Sequence, residues 1–364
     1  MKKLRYLILT LCMLFLLNGC TAPAISSLAE VDSTPTTTLA TSTLSTLKVH
    51  YIDVGQGDSE LLQVNGITIL IDTGESDQAQ NLISYLEKQG VTQIDYLFLT
   101  HPHTDHMGGA VKIMEHFPVK KVYLTNKTHT TVSYRKLIET IQKKNIKRVQ
   151  AKAGVSISFT KNLKGEILAP SHTYDDINAS SIVMKITYGN TSFLFTGDAT
   201  IETENDILNA GYDVSSDVYK VAHHGSSTSN SSAFLKAINP SICVIEVGKN
   251  NSYGHPHKEV KDLLSKLNTK VYRTDLNGSI VISSNGKKLS VKTTKGSATQ
   301  ETNTNSTPTS SNTNSKTQYI GNINSKVYHK PTCSSLPAKK NQVIFSSKSA
   351  ANSAGYHPCS RCNP

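Results

Sequence analysis

Apolar residues in this chain fall into short alternating runs separated by helical stretches, and the order of the runs points to the fold. Leu47–Asp53 alternates in the manner of a half-buried strand. Leu61–Val64 and Ile67–Ile71 flank Asn65-Gly66, a pair suited to the positive φ angles of a two-residue hairpin turn. Asp77–Gln89 has helical periodicity and is stopped by Gly90, whereas Ile94–Leu99 reads as a buried strand followed by a loop from Thr100. Further strands are predicted at Ser181–Tyr188, Phe193–Phe195, Val218–Val221, Ile242–Val247, Val271–Tyr272 and Ser279–Ser283. Helices are predicted at Tyr134–Lys144, Glu202–Ala210, Ala233–Ala237 and His257–Leu267. Hairpins, helices, hairpins and helices in that order predict an α/β fold with two sheets face to face and helices outside, an αββα sandwich.

Outside this pattern the sequence changes character. Residues 21–46 and 297–318 are rich in Ser, Thr and other small or polar residues with no apolar period, the composition of flexible tethers. They divide the chain into a leader (1–19), a tether (20–46), a body (47–296), a linker (297–318) and a small C-terminal module (319–364). Lys2, Lys3 and Arg5 precede an apolar run, Leu7–Leu17, that is short for a membrane span. The run ends in Leu17-Asn18-Gly19-Cys20, which resembles the lipobox of bacterial lipoproteins. That resemblance implies lipidation at Cys20, with two acyl chains holding the protein at the extracellular face of the cell membrane, or released from it.

Composition adds two constraints. Trp is absent and aromatics make up 6%, which argues against an extended platform for stacking bases. The net charge is +11, and from Tyr319 onward there are six Lys/Arg and no Asp or Glu, so DNA or another polyanion is the expected partner of a monomeric protein. Cys243, inside the apolar run Ile242–Ile245, is expected to be a core thiol.

The densest chemistry is Thr100-His101-Pro102-His103-Thr104-Asp105-His106-Met107-Gly108-Gly109. Three imidazoles and a carboxylate directly after a buried strand suit zinc, with manganese or iron as alternatives. Alternate residues of such a loop can face two neighbouring ions. Two ions about 3.5–4 Å apart can clamp a phosphodiester and supply a nucleophile near neutral pH.

His101-x-His103-x-Asp105-His106 resembles the metal motif of the metallo-β-lactamase superfamily. On that resemblance Asp72 orients the metal-binding loop, and Asp198, in Phe193-Leu194-Phe195-Thr196-Gly197-Asp198, is the bridging carboxylate. The resemblance also implies catalytic as well as metal-binding roles for Asp105 and Asp198, with Asp198 expected to accept a proton. His223, in Lys220-Val221-Ala222-His223-His224-Gly225-Ser226, is favoured as the last ligand and His224 is the alternative. Asp53-Val54-Gly55-Gln56-Gly57-Asp58, the His-His-Gly-Ser segment, Asn251-Ser252-Tyr253-Gly254-His255-Pro256, Arg273-Thr274-Asp275 and Gly278 narrow the likeness to the soluble domain of ComEC competence proteins, a domain held to degrade DNA. The superfamily's usual third His is replaced by Asn178-Ala179-Ser180-Ser181, so Asn178 is expected beside the metals as a weak or non-ligand, and His172 is a candidate substitute. His255 is the candidate phosphate-binding group or general acid; a helix-capping role before Pro256 is its structural alternative.

In the C-terminal module His329-x3-Cys333 is followed by Cys359-x2-Cys362, the ligand types of a closed structural zinc site. Gly355-Tyr356-His357-Pro358-Cys359-Ser360-Arg361-Cys362 resembles the zinc-binding module of the Ada DNA-repair protein, with His329 where that protein has a Cys. One disulfide plus a free thiol is the competing arrangement. Together these features predict an exported metal-dependent phosphodiesterase or nuclease acting on DNA. The alternatives are hydrolysis of another phosphodiester or ester, such as a wall polymer or nucleotide, and non-catalytic DNA capture.

Overall fold

The computed structural model describes residues 44–296, 319–345, 348, 351, 356–359, 361 and 362. The leader, Cys20, the tether up to residue 43 and the 297–318 linker lie outside the described residues. Among the described residues no helix is long and apolar enough to cross a membrane.

In chain order the first half of the body is β1 (Leu47–Tyr51), β2 (Glu60–Val64), β3 (Ile67–Ile71), α1 (Ala79–Lys88), β4 (Ile94–Leu99), α2 (Thr104–Met107), α3 (Ala110–His116), β5 (Val119–Leu124), α4 (Val132–Lys143) and β6 (Lys147–Gln150). The second half is β7 (Ser156–Ser158), β8 (Leu163–Ala169), β9 (Val183–Tyr188), β10 (Thr191–Phe195), α5 (Ile201–Asn209), β11 (Val218–Lys220), α6 (Ser232–Ile238), β12 (Ile242–Ile245), α7 (Lys258–Leu264), β13 (Lys270–Arg273), α8 (Thr274–Asn277), β14 (Ile280–Ser284) and β15 (Leu289–Thr293). The strands form an eight-stranded sheet, β15-β14-β1-β2-β3-β4-β5-β6, and a seven-stranded sheet, β13-β12-β11-β10-β9-β8-β7.

Three apolar clusters hold these layers together. Val49, Tyr51, Phe98, Phe193, Phe195 and Val218 lie in the cluster shared by the two sheets. Leu82, Leu86, Ile113 and Leu137 pack α1, α3 and α4 on the outer face of the first sheet, and Ile207, Phe234, Leu235 and Val260 pack α5, α6 and α7 on that of the second. The observed order is the αββα arrangement that the alternating pattern predicts.

The differences from the sequence reading have physical causes. The strand expected at Ile242–Val247 stops at Ile245 because the next two residues leave the ladder. Val247 N–H donates to Thr274 Oγ1 (2.8 Å), and the Glu246 carbonyl accepts from His224 Nδ1 (2.8 Å). The predicted Ser181–Tyr188 strand begins only at Val183, since residues 178–180 form a tight 3-10 turn, and Leu47–Asp53 ends at Tyr51. Five strands of the body have no counterpart among the predicted ones: β5, β6, β7, β8 and β15. Lys120 and Lys121 interrupt the apolar run of β5, while β6, β7 and β15 are sheet edges with largely exposed side chains.

The C-terminal module has its own four-stranded sheet, made of β16 (Tyr319–Asn322), β17 (Val327–His329), β18 (Gln342–Phe345) and β19 (His357–Pro358) in the order β18-β16-β17-β19. Its apolar centre is small: buried Tyr328, Ala351 and Tyr356, flanked by Tyr319, Val343 and Phe345.

Candidate metal centre

The site is assembled where strands end and backbone can leave the sheet. β4 delivers Thr100 and His101, and α2 carries Asp105 and His106. Close backbone approach is needed here: a Cβ on Gly57 would stand 2.3 Å from the Asp105 carbonyl oxygen, and one on Gly108 2.3 Å from that of Thr104. Past β10, Gly197 at φ +48 lets Asp198 face the same space, with Thr100 too close to admit a side chain on Gly197. After β11, His223 and His224 both adopt positive φ, an uncommon state for His that presents both rings to the site.

Asp72 fixes this loop. Its Oδ1 accepts from Thr100 N–H (2.7 Å), and its Oδ2 accepts from Thr100 Oγ1 (2.6 Å) and lies 2.7 Å from His106 Nδ1. That contact puts the proton of His106 on Nδ1 and leaves Nε2 as a lone pair aimed inward. The same logic applies to His224, whose Nδ1 faces the Glu246 carbonyl (2.8 Å) and Asp58 Oδ1 (3.2 Å).

Two donor groups share Asp198. One comprises Asp105, His106, Asp198 and His224; the other comprises His101, His103 and Asp198; within each group the ligand atoms lie within 4.8 Å of one another. His106 Nε2 and His224 Nε2 stand 3.1 and 3.6 Å from Asp198 Oδ1, and His101 Nε2 stands 3.7 Å from Oδ2. His106 Nε2, His224 Nε2 and Asp198 Oδ1 are buried and make no hydrogen bond. Buried polar atoms of this kind need a partner, and imidazole lone pairs grouped with carboxylates fit divalent cations. The electrostatics agree. Burial alone would depress the His106 pKa, yet Asp198, Asp105, Asp58 and Asp72 raise it well above the ordinary value. His224, likewise opposed by burial, is pushed up to about 10 by Asp198 and Asp58. The negative potential that draws protons onto these rings is what attracts a cation.

Of the two candidates for the last ligand, His224 joins the group with Asp105 and His106, while His223 is half-buried on the wall, with Nε2 3.5 Å from Asp198 Oδ2 and Nδ1 3.1 Å from Thr228 Oγ1. Nor does His172 substitute for the missing His: it is exposed, packs on Tyr174 and faces Asp206 at 3.7 Å. Asn178 does reach the pocket, with its Oδ1 buried and unpartnered. Next to it Ser181 Oγ accepts from Asp198 N–H (3.1 Å) and lies 3.3 Å from His101 Nδ1, bracing both ligands.

Beneath the ligands lies a buried charge cluster to which the sequence reading assigned no role. Asp58, Glu60, Lys220 and Glu246 are each at most 1% exposed. Lys220 Nζ is ion-paired with Asp58. Although burial opposes it, that ammonium and His224 hold the Asp58 carboxyl down to about 2. Burial and the Asp58 charge push Glu246 up to about 8. A Lys inside the apolar strand Val218-Tyr219-Lys220-Val221 was the sequence signal available for this cluster.

Above the ligands opens a cavity of about 280 Å3, lined by Gln56, His103, Asn178, His223, Tyr253 and His255 among others. His255 is pushed down to about 3 by burial and by His224 and His223. Its ring lines the cavity, where it can hydrogen-bond a substrate oxygen.

Residues 52–245, more than half of the chain, match the metallo-beta-lactamase superfamily. The chain belongs to that superfamily. Residues 309–364 match the metal binding domain of Ada. As a member of the metallo-beta-lactamase superfamily it is a metal-dependent hydrolase related to competence proteins. It is 31% identical over 252 residues to ComE operon protein 3 of Bacillus subtilis, an alignment covering 64% of this chain and 32% of that protein. It is also 30% identical over 241 residues to Recombination protein 2 of Haemophilus influenzae, covering 65% of this chain and 28% of that protein. The chain thus spans about a third of the length of these relatives. The metallo-beta-lactamase fold protein YhfI from Bacillus subtilis superposes with a TM-score of 0.45 at 14% identity, covering 65% of this chain and 100% of that one.

The C-terminal module brings His329, Cys333, Cys359 and Cys362 together, with ligand atoms within 4.8 Å of one another and all three thiols free. Three thiols and one imidazole fit a structural zinc ion, and none of the described cysteines is paired in a disulfide.

Proposed function

We propose that the body is a phosphodiesterase that cuts DNA, carried outside the cell on a lipid at Cys20. The observation that supports this reading best is the open polar cavity over two donor groups joined by Asp198. Two divalent cations held there by His101, His103, Asp105, His106, Asp198 and His224 would supply Lewis-acid polarisation and a nucleophile near neutral pH. The chain's own groups do the rest. Asp198, which belongs to both donor groups, keeps the two halves of the site together. His255 and Asn178, on the cavity wall, can donate hydrogen bonds to non-bridging oxygens of a phosphodiester. Asp72, Ser181 and the Lys220–Asp58 pair hold the ligand rings in register. The basic C-terminal module suits contact with the DNA backbone.

The test is metal analysis of the purified full chain with a parallel screen of DNA, RNA and a small model phosphodiester. The proposal expects about two ions in the body besides that of the module, and turnover of DNA. Metal binding without turnover of any phosphodiester would remove it. Release of Cys20→Ala from the membrane fraction tests the anchor; retention of the lipid label by that variant would refute it.

A further inference from the structure

Among the exposed large hydrophobic side chains of the described residues one is aromatic, Tyr253, 59% exposed. It stands on the wall of the metal cavity. Its ring packs nearly parallel to His255, with centroids 5.6 Å apart and planes at 19°, and His255 in turn lies 6.1 Å from the ligand His224 at 28°. Three roughly parallel rings thus lead from solvent to the metal ligands. The loop that carries Tyr253 and His255 is held in this geometry by hydrogen bonds. Asn251 Nδ2 donates to the His255 carbonyl (2.7 Å) while its Oδ1 accepts from His255 N–H (3.0 Å). Ser227 N–H donates to His257 Nδ1 (3.0 Å), which leaves His257 Nε2–H to donate to the Tyr253 carbonyl (3.2 Å). Gly254 at φ +79 makes the turn between the first two rings. A tyrosine held by its backbone, its ring stacked on His255 and 59% exposed, offers aromatic surface to a ligand at the mouth of the cavity.

We infer that Tyr253 is a stacking subsite for an unpaired nucleobase, so that the form of DNA this site takes is single-stranded. This deepens the phosphodiesterase reading and rests on it. An aromatic face attracts any base, which gives affinity for single strands with little sequence preference. Two ring spacings separate the outer face of Tyr253 from His224, so the base that stacks belongs to a neighbouring nucleotide and not to the one whose phosphate is attacked. A base within a duplex already has both faces covered by its neighbours and cannot use this face without unstacking.

The chain contains no Trp, so Tyr253→Trp places a single fluorescent reporter at the subsite. The full metal-loaded chain carrying it is titrated with a phosphorothioate-linked oligothymidylate, which resists hydrolysis, and with an abasic strand of the same length and linkage. The inference expects quenching by the oligothymidylate and none by the abasic strand; equal responses, or no response to either, overturn it. Steady-state kinetics give the second readout. Tyr253→Ala should raise KM for oligothymidylate about tenfold, and Tyr253→Phe should restore it. An unchanged KM in Tyr253→Ala overturns the inference. If wild-type protein cuts oligothymidylate while the reporter sees no base, the subsite falls alone. If wild-type protein cuts no phosphodiester, the function falls, and the quenching comparison still decides whether a base stacks there.

Discussion

In the body, the imidazoles and carboxylates around Asp198 hang from two large sheets whose shared core includes Tyr51, Phe98, Phe193 and Phe195. In the C-terminal module, His329, Cys333, Cys359 and Cys362 converge on one another, and the apolar centre has only three buried residues. The body's donors face an open cavity and leave lone pairs unused, whereas the module's four ligands complete a closed coordination set. A large core can support a reactive site whose ligands contribute little to folding. With little core of its own, the module is expected to depend on a bound metal for folding.

The largest effect that would test this contrast is metal withdrawal. Structural zinc sites of this size contribute about 10 kcal/mol or more of apparent binding energy, all of it available to folding. A chelator should therefore unfold the module and leave the body folded. Limited proteolysis should trim the treated chain back to a resistant body; a module that stays protected without metal would break the comparison. Next in size is Asp198→Ala, which should lower hydrolysis about a thousandfold, about 4 kcal/mol of barrier, with little change in thermal midpoint. Normal turnover in that variant would refute the shared-carboxylate arrangement.

The third test lies under the ligands, where the body's site is tied to its fold. Lys220→Met leaves Asp58 buried without its counter-charge and should cost about 3 kcal/mol of stability, read from thermal unfolding. The Asp58 carboxyl is held at about 2, below its value in an unfolded chain, so its contribution is present above the unfolded pKa and is lost as pH falls through about 4 to 2. The difference between wild type and Lys220→Met should narrow over that window, and a constant difference would show that the pair does not govern the cluster.

How much of this was legible depended on whether a group's partners were local. The His101–His106 cluster was readable because its ligands lie within six residues of one loop, and Asn65-Gly66 announced its hairpin because a turn is a local event. What distinguishes His223 from His224 was not readable: the Glu246 carbonyl, just past β12, meets His224 Nδ1, whereas His223 Nδ1 faces Thr228. The cluster of Asp58, Glu60, Lys220 and Glu246 was hidden for the same reason, since its members come from distant parts of the chain and meet only when both sheets close. β6, an edge strand of largely exposed side chains, buries too little to print a two-residue period; β7 is only three residues long, and in β15 the alternation rests on two apolar residues, Leu289 and Val291.

The smallest effect separates the two regions by partner rather than by metal. If the body cuts DNA and the module grips its backbone, removing residues 319–364 should spare turnover of a small model phosphodiester and weaken binding to long DNA. The removed segment carries six Lys/Arg and no acidic residue. If about three of those charges meet phosphates, the module contributes about −2 to −3 to the slope of log affinity against log salt. The truncated chain should lose that part of the slope, and its KM for long DNA should rise more than its kcat falls, because positioning contacts made equally in ground and transition states act on binding. A salt titration of both proteins side by side measures this. Identical slopes would mean that the module does not touch DNA, and its basic surface would then have to serve a protein or cell-wall partner.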